Sequence, residues 1–253
     1  MRVFIKTIPV DILQYREVID KIENYINQNT PHHIITLNSL MYYYAINNKL
    51  LKEIILKSDL VLPDSIGIVL AIFFTILRNY RISKKIYEIG FFDLIKKISR
   101  ITGIDLMLKL CEISQKKYNI FLLGAKPEII GQTVLNLKKL FPEIIIKGFY
   151  HGYFSKSEEK DIINLINRSN IDILFVGMNV PKQEEWIYNN LKNLNSKVVI
   201  GVGGSFDIIS KKLKRAPLFL QNIGLEWLYR VIQQPFRIKR IKDLPKFIYY
   251  IIK

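Results

Sequence analysis

Five short stretches of this chain are almost unbroken in Ile, Val, Leu and Phe: HHIITL (His32–Leu37), YNIFLLG (Tyr118–Gly124), EIIIKGF (Glu143–Phe149), IDILFVGM (Ile171–Met178) and KVVIGVGG (Lys197–Gly204). A strand with one face in water alternates apolar and polar residues. A strand apolar along its whole length is covered on both faces, as in a parallel sheet between helices. The intervening KPEIIGQTVLNLKKLFP and SKSEEKDIINLINRSN repeat apolar residues at helical spacing. Pro127 stands near the start of the first, and acidic residues fill the early turns of the second, both signals of a helix N-terminus. This alternation specifies an α/β class: a Rossmann-like, mainly parallel, doubly wound sheet flanked by helices.

The 253 residues suffice for one α/β catalytic domain, expected over 1–210, followed by an appendage over 211–253. The boundary is compositional. From Lys211 onward there are eleven Lys and Arg against two acids, Glu226 and Asp243, a net +9 of the chain's +16. A balance this basic implies an anionic partner: nucleic acid, anionic lipid or phosphorylated substrate. The single cysteine, Cys111, excludes an internal disulfide and a multi-cysteine metal site, and it suits a reducing cytoplasm. MRVFIKTIPVDILQ meets polar residues too early for a secretory signal. The longest uncharged apolar run, Ser65–Leu77, falls short of the ~20 residues that span a bilayer. A basic, aromatic segment, Arg78–Lys97, reads as a helical excursion inserted outside the sheet.

In open α/β sheets ligands bind beyond the carboxyl ends of the strands. The residues placed there are Thr36 and Asn38 (TLNS), Asp64 (LVLPDSIG), Asn179, Lys182 and Gln183 (FVGMNVPKQE), and Gly203, Gly204, Ser205 and Asp207 (GVGGSFD). Each has a plain structural alternative. Thr36, Asn38 and Ser205 suit helix caps, and Asp64 suits a cap for a helix beginning near Ile66. Yet Asp64 is the one carboxylate in the apolar run VLPDSIGIVLAIFF, and no other residue within that run could pair with it. It is therefore either a solvated strand end or a group whose desolvation has a use.

GVGGSFDIIS departs from the dinucleotide fingerprint because Phe206 occupies its third glycine position, and no Gly-Lys-Ser/Thr follows to make a P-loop. Its backbone N–H groups remain suited to a phosphate or a nucleoside base. His32, His33 and His151 lack zinc-ligand spacing, so no metal site is expected. In the tail, Trp227, Leu228, Phe236, Ile238, Phe247 and Tyr249 interleave with Arg230, Arg237, Lys239, Arg240, Lys242 and Lys246, and Pro235 and Pro245 divide it into short helical pieces. That pattern fits helices packed on the core with a basic outer face. It also fits an interfacial segment on anionic lipid. Nucleic acid is disfavoured for want of a recognisable motif.

Taken in order, TLNSLMYY, LPDSIGIV, RITGIDLM, IFLLGAKPE, HGYF, ILFVGMNVPKQEEWI, GVGGSFDIISKKLKRAP and IGLEWLYRVIQQPFRIKR resemble the WecG/TagA/CpsF family of bacterial glycosyltransferases. The resemblance covers the chain apart from the Arg78–Lys97 insertion. It implies an inverting, metal-independent enzyme without a cofactor. Such an enzyme moves a sugar, most often N-acetylmannosamine, from a UDP-sugar to a polyprenyl-diphosphate-linked sugar, most often N-acetylglucosamine, on the inner membrane face. Teichoic acid synthesis is the expected context. UDP-N-acetylmannosaminuronic acid or UDP-glucose in capsule or exopolysaccharide synthesis is the alternative within the family. By resemblance Asp64 is the catalytic base, Thr36 and Asn38 line its pocket, Gln183 lies near the donor and Asp207 near the nucleotide. Arg230, Arg237 and Arg240 sit on an appendage that completes the site at the membrane. Arg100 joins the expected substrate-binding set. Ser65 stands where many relatives carry glycine, a change expected to tighten the pocket, and the insertion is expected to add a second membrane contact. Off the membrane, the tail's apolar face is expected to self-associate. The rival classes are a nicotinamide-dependent oxidoreductase and a non-enzymatic basic module for lipid or nucleic acid.

Overall fold

The computed structural model describes residues 1–80 and 98–252. From residue 81 on, the Arg78–Lys97 excursion lies outside the described residues. Eight strands are described: β1 (Arg2–Ile5), β2 (Ile8–Asp11), β3 (His32–Leu37), β4 (Leu60–Pro63), β5 (Asn119–Gly124), β6 (Ile145–Tyr150), β7 (Ile173–Gly177) and β8 (Val198–Gly201). β1 and β2 form an antiparallel hairpin, and the other six make one sheet in the order β4-β3-β8-β7-β5-β6. The pairs β3–β8, β8–β7, β7–β5 and β5–β6 are parallel. The expected α/β class is therefore the observed one. Every residue of β3, β4, β7 and β8 is buried, as their unbroken apolar sequences require. Edge strand β6 instead alternates half-buried and exposed positions and points Lys147 outward, a charge that discourages further strand pairing.

Contacts divide the chain into two units. The first comprises Met1–Val18, Thr36–Thr102 and Arg215–Lys253. It holds the hairpin, the start of helix α1 (Tyr15–Ile26), the end of β3, β4, and the helices α2 (Ser39–Asn47), α3 (Lys49–Lys57) and α4 (Ile66–Tyr80). α4 buries Ile68, Ala71, Ile72 and Ile76 on one face and exposes Leu70, Phe74 and Leu77 on the other. Asp11 ties this unit's first strands together. Its carboxylate receives Arg2 Nε and Nη2 at 2.9 and 2.7 Å and the Val61 N–H at 2.8 Å. The tail continues the unit as α10 (Leu218–Asn222), α11 (Glu226–Gln233), a single 3-10 turn at Pro235–Arg237, α12 (Ile238–Ile241) and α13 (Leu244–Ile252). Both prolines fall in the first turn of a helical piece, where a missing N–H goes unnoticed.

The second unit comprises Ile19–Ile35 and Gly103–Lys214. It holds the start of β3, all of β5–β8, and the helices α5 (Gly103–Ile113), α6 (Pro127–Leu140), α7 (Glu159–Arg168), α8 (Lys182–Asn190) and α9 (Ser205–Ile209). Its core joins Phe121, Leu123, Leu174, Val176 and Val199 of the strands to Ile162, Ile166, Trp186 and Ile187 of the helices. Cys111 is fully buried, and burial pushes its thiol pKa upward. α9 is anchored by α6, whose Thr133 Oγ1 and Asn136 Nδ2 donate to the carbonyls of Phe206 and Ile209 at 3.1 and 2.8 Å.

Phe206 explains the broken glycine fingerprint. Its ring is fully buried against Gly177, where an added Cβ would lie 2.4 Å from ring atoms. The large side chain sits on the helix and the glycine on the strand, the reverse of the dinucleotide arrangement. Gly177→Ala is expected to lower stability by about 1–3 kcal/mol in urea titration, since the ring has no room to retreat. An unchanged midpoint would show that the contact is soft.

Candidate active site

In the first unit, Asp64 follows β4 directly, and its N–H donates to the Leu37 carbonyl at the end of β3 (2.9 Å). The residue is half-buried. α4 starts beside it through Ser65, whose carbonyl accepts the N–H groups of Ile68 and Val69 at 3.1 and 3.2 Å. The Ser65 hydroxyl accepts the Ser39 N–H at 3.1 Å and lies 2.9 Å from Ser39 Oγ. This serine thus staples the start of α4 to the start of α2. Gly67 allows the approach, because a Cβ there would fall 2.3 Å from Ser39 Oγ and 3.1 Å from the Phe247 ring of α13.

Thr36 is buried near the end of β3. Asn38 is the N-cap of α2, its Oδ1 accepting the Met41 N–H at 3.0 Å, so the cap anticipated for it is present. Ser205 is not a cap. Gly204 holds that position in α9, and the Ser205 hydroxyl donates to the Val202 carbonyl at 2.7 Å.

The same unit assembles arginines on one carboxylate. Glu226 Oε2 lies 3.9 Å from Arg100 Nη2, and its Oε1 lies 3.4 Å from Arg230 Nη2. Arg100 Nη1 also donates to the Gln221 carbonyl at 3.0 Å. The turn carrying these groups is seated on α4 at Gly224, which has φ +75°; a Cβ there would meet Ile66 at 2.3 Å. Arg237 donates through Nε to Gln234 Oε1. Of Arg240 only the backbone position, in α12, is described.

In the second unit, β7 runs into Met178–Pro181, with a cis Val180–Pro181 bond, before α8 begins. Asn179 and Lys182 are exposed. Lys182 Nζ donates to the Gly152 carbonyl at 3.2 Å and stands 5.5 Å from the Phe154 ring centroid. Gln183, by contrast, is buried. Its Oε1 accepts the N–H groups of Met178 and Gly203 at 3.2 and 2.9 Å, and its Nε2 donates to Glu184 Oε1 at 2.7 Å. Gly203 adopts φ +51° with open space where a side chain would be. Asp207 is half-buried in the first turn of α9. No group of three His, Cys, Asp or Glu side chains able to hold a metal is found among the described residues.

Two residues of these constellations were not picked out from sequence. Glu226 reads as one of two acids in a basic tail, and only the fold shows that it spans two arginines. Glu184 reads as a favourable charge in the first turn of α8. It is in fact buried, and burial raises its carboxyl pKa to about 7 against the pull of the Gln183 hydrogen bond, with the Glu185 charge adding to the rise.

The model for the family described as Glycosyl transferase WecG/TagA/CpsF family matches residues 3–253. A Bacillus subtilis (strain 168) protein is 34% identical over 237 residues, covering 93% of this chain and 85% of its own length. A Bacillus spizizenii protein is 32% identical over 230 residues, covering 90% and 82%. A Staphylococcus aureus (strain MW2) protein is 31% identical over 242 residues, covering 94% and 87%. All three are named N-acetylglucosaminyldiphosphoundecaprenol N-acetyl-beta-D-mannosaminyltransferase. The chain is a glycosyltransferase and belongs to the WecG/TagA/CpsF family.

The raised pKa of Glu184 carries a pH signature. The unfolded carboxyl titrates near 4.5 and the folded one near 7, so between these values the folded state binds more protons. Stability therefore falls as pH rises through that window, by up to about 3 kcal/mol. Urea midpoints for wild type and Glu184→Gln at pH 5 and pH 8 are expected to show the wild type losing more stability across the interval. Parallel losses would mean that Glu184 titrates normally.

Proposed function

We propose that this glycosyltransferase moves N-acetylmannosamine from a UDP-sugar to polyprenyl-diphosphate-linked N-acetylglucosamine, with Asp64 as the base. The observation that carries this reading is the 31–34% identity, over most of their length, to three proteins named for that reaction. The chemistry suits the residues. The acceptor hydroxyl oxygen attacks the anomeric carbon and its proton passes to Asp64. The bond from that carbon to the diphosphate oxygen breaks, and UDP departs with the electron pair. A half-buried carboxylate at a strand end suits proton abstraction better than a fully solvated one. Negative charge grows on the leaving diphosphate, and prearranged cations stabilise it. Arg100 and Arg230, held on Glu226, are the described side chains suited to this, with Arg237 and Arg240 following on the same tail. Thr36 and Asn38 support the Asp64 corner. Asn179, Lys182, Gln183, Gly203, Gly204, Ser205 and Asp207 belong to the donor side.

The tail from Lys211 is the membrane-directed appendage in this reading. Among the described residues no helix is long and apolar enough to cross a membrane. The tail instead exposes Leu218, Phe219, Ile223, Ile232, Phe236 and Ile238 among its cations. Apolar groups flanked by Lys and Arg insert shallowly into an anionic leaflet, which brings the enzyme to an acceptor that is itself anchored there. Work on the inner face of the cell membrane follows from a UDP-sugar donor. Away from lipid, the same apolar face is expected to self-associate.

Two measurements test the proposal. Transfer from UDP-N-acetylmannosamine to a lipid-diphosphate-linked N-acetylglucosamine is expected for wild type, with kcat reduced about 10²–10⁴-fold in Asp64→Asn. Equal turnover by both would leave Asp64 as a structural residue, and turnover by neither would reject the substrate pair. For the tail, wild type is expected to sediment with phosphatidylglycerol vesicles at low salt and to be released as salt rises. The double change Ile232→Ser and Phe236→Ser is expected to weaken that binding about tenfold; undiminished binding would move the membrane contact elsewhere.

A further inference from the structure

The buried pair Gln183–Glu184 has a geometry that the transfer chemistry does not use. A glutamine side chain has one oxygen and one nitrogen at nearly equal reach, and either could face a given neighbour. Here the oxygen accepts two backbone N–H groups: Met178, just after β7, and Gly203, in the glycine turn after β8. Flipping the amide would aim NH2 at two donors and bring its oxygen to about 2.7 Å from a carboxylate oxygen of Glu184. Both ends would then be repulsive. Glu184 therefore reinforces the orientation that the two N–H donors require, giving the Gln183 nitrogen its partner, and Gln183 in turn holds two loops of the second unit together.

The surroundings leave the pair no slack. A Cβ on Gly201 would fall 2.2 Å from Gln183 Nε2 and 3.2 Å from Glu184 Oε1, so the amide and carboxylate lie flush against the last residue of β8. Glu184 is 1% exposed and Gln183 2%. Glu184 Oε2 has no hydrogen-bond partner among the described residues. A carboxylate kept in so unfavourable a place needs a reason that a surface ion pair does not. The consequence falls on Gly203, whose left-handed backbone is tied at its N–H while its other side stays open.

We propose that Glu184 is a positioning residue for the donor site: by holding the Gln183 amide nitrogen it fixes the amide oxygen on the Met178 and Gly203 N–H groups, and so steadies the Gly203 turn and the affinity for the nucleotide portion of the donor. This rests on the assignment of the glycine turn to the donor side made above. Glu184 itself touches no substrate in this arrangement. The role requires an acceptor oxygen at position 184, and full charge is secondary.

The experiment uses the full chain in three readouts: UDP titration, steady-state kinetics with the UDP-sugar, and amide hydrogen exchange of peptides covering 201–206. Glu184→Leu is expected to weaken UDP binding and raise the donor KM at least tenfold with kcat within about twofold, and to speed exchange at the glycine turn. Glu184→Gln, which keeps an acceptor oxygen, is expected to stay within about threefold of wild type. A residue that only supports folding would lower the melting temperature without moving the donor KM or the local exchange, and that result would overturn the inference. Should Glu184→Leu fail to fold, the exchanged pair decides. Gln183→Glu alone sets two carboxylates against each other, whereas Gln183→Glu with Glu184→Gln restores a donor facing an acceptor. Recovery of turn protection and UDP affinity in the double variant supports the inference; a double variant as impaired as Gln183→Glu sinks it. Failure of wild type to bind UDP would instead reject the donor-site assignment, and exchange at 201–206 would still decide whether Glu184 orients the turn.

Discussion

Burial of both faces of the parallel sheet is the constraint from which the rest of this structure follows. Strands β3, β4, β7 and β8 have no exposed residue at all, so the side chains along them do not face solvent. The proposed site accordingly lies at the turns beyond the carboxyl ends, where backbone groups lose their ladder partners and must find others. Each turn solves that requirement differently. Leu37 hands its carbonyl to the Asp64 N–H, Asn38 caps α2 with its side chain, and Gln183 gathers the N–H groups beyond two strands on one amide oxygen. The polar residues at the rim therefore meet backbone demand first, and the proposed catalysis would use positions already fixed in that way.

That double duty changes how a polar rim residue should be weighed. A cap and a functional residue are often treated as competing explanations. In the proposed site Asn38 would be both: fixing Oδ1 on the Met41 N–H leaves the amide nitrogen in a defined direction, which a mobile side chain would lack. Preorganisation of this sort is what an active site needs, since orienting groups during the reaction costs free energy that orientation during folding has already supplied. The Ser39–Ser65 hydroxyl pair acts likewise at the corner that carries Asp64, and it gives Ser65 a concrete role where a glycine would have none.

The strands and the helices between them were legible because their signals are local and redundant. β3 runs over the six residues read from HHIITL, and α6 has Pro127 at its first turn as its sequence indicates. The hairpin β1–β2 was not legible. Its two-residue turn places Lys6 at φ +53°, a conformation usually announced by glycine or asparagine, so nothing in IKTI marks a reversal. The rim residues were named from their place after strands, but their partners were out of reach. That Glu226 touches both Arg100 and Arg230 depends on a contact spanning more than a hundred residues of sequence, and that Glu184 is buried depends on which side of α8 meets β8. Periodicity reports the face of an element; it is silent on what arrives from elsewhere to pair with it.

Glu226 also resolves a difficulty that the composition raises. A tail with a net charge of +9 repels itself, and arginines placed to meet a diphosphate, as proposed for Arg100 and Arg230, repel one another most when no diphosphate is present. One carboxylate between Arg100 and Arg230 reduces that repulsion in the empty enzyme, at side-chain exposures of 12–27% where the interaction is stronger than on an open surface. The separations of 3.9 and 3.4 Å are long for charge-assisted hydrogen bonds, which prefer 2.7–2.9 Å. Such a loose bridge orders the arginines without saturating them. A tight bidentate pair would occupy the donors that an incoming anion needs. In the proposed mechanism a bridge of this length would let the guanidinium groups turn toward an incoming anion, with positive charge already collected before the substrate arrives.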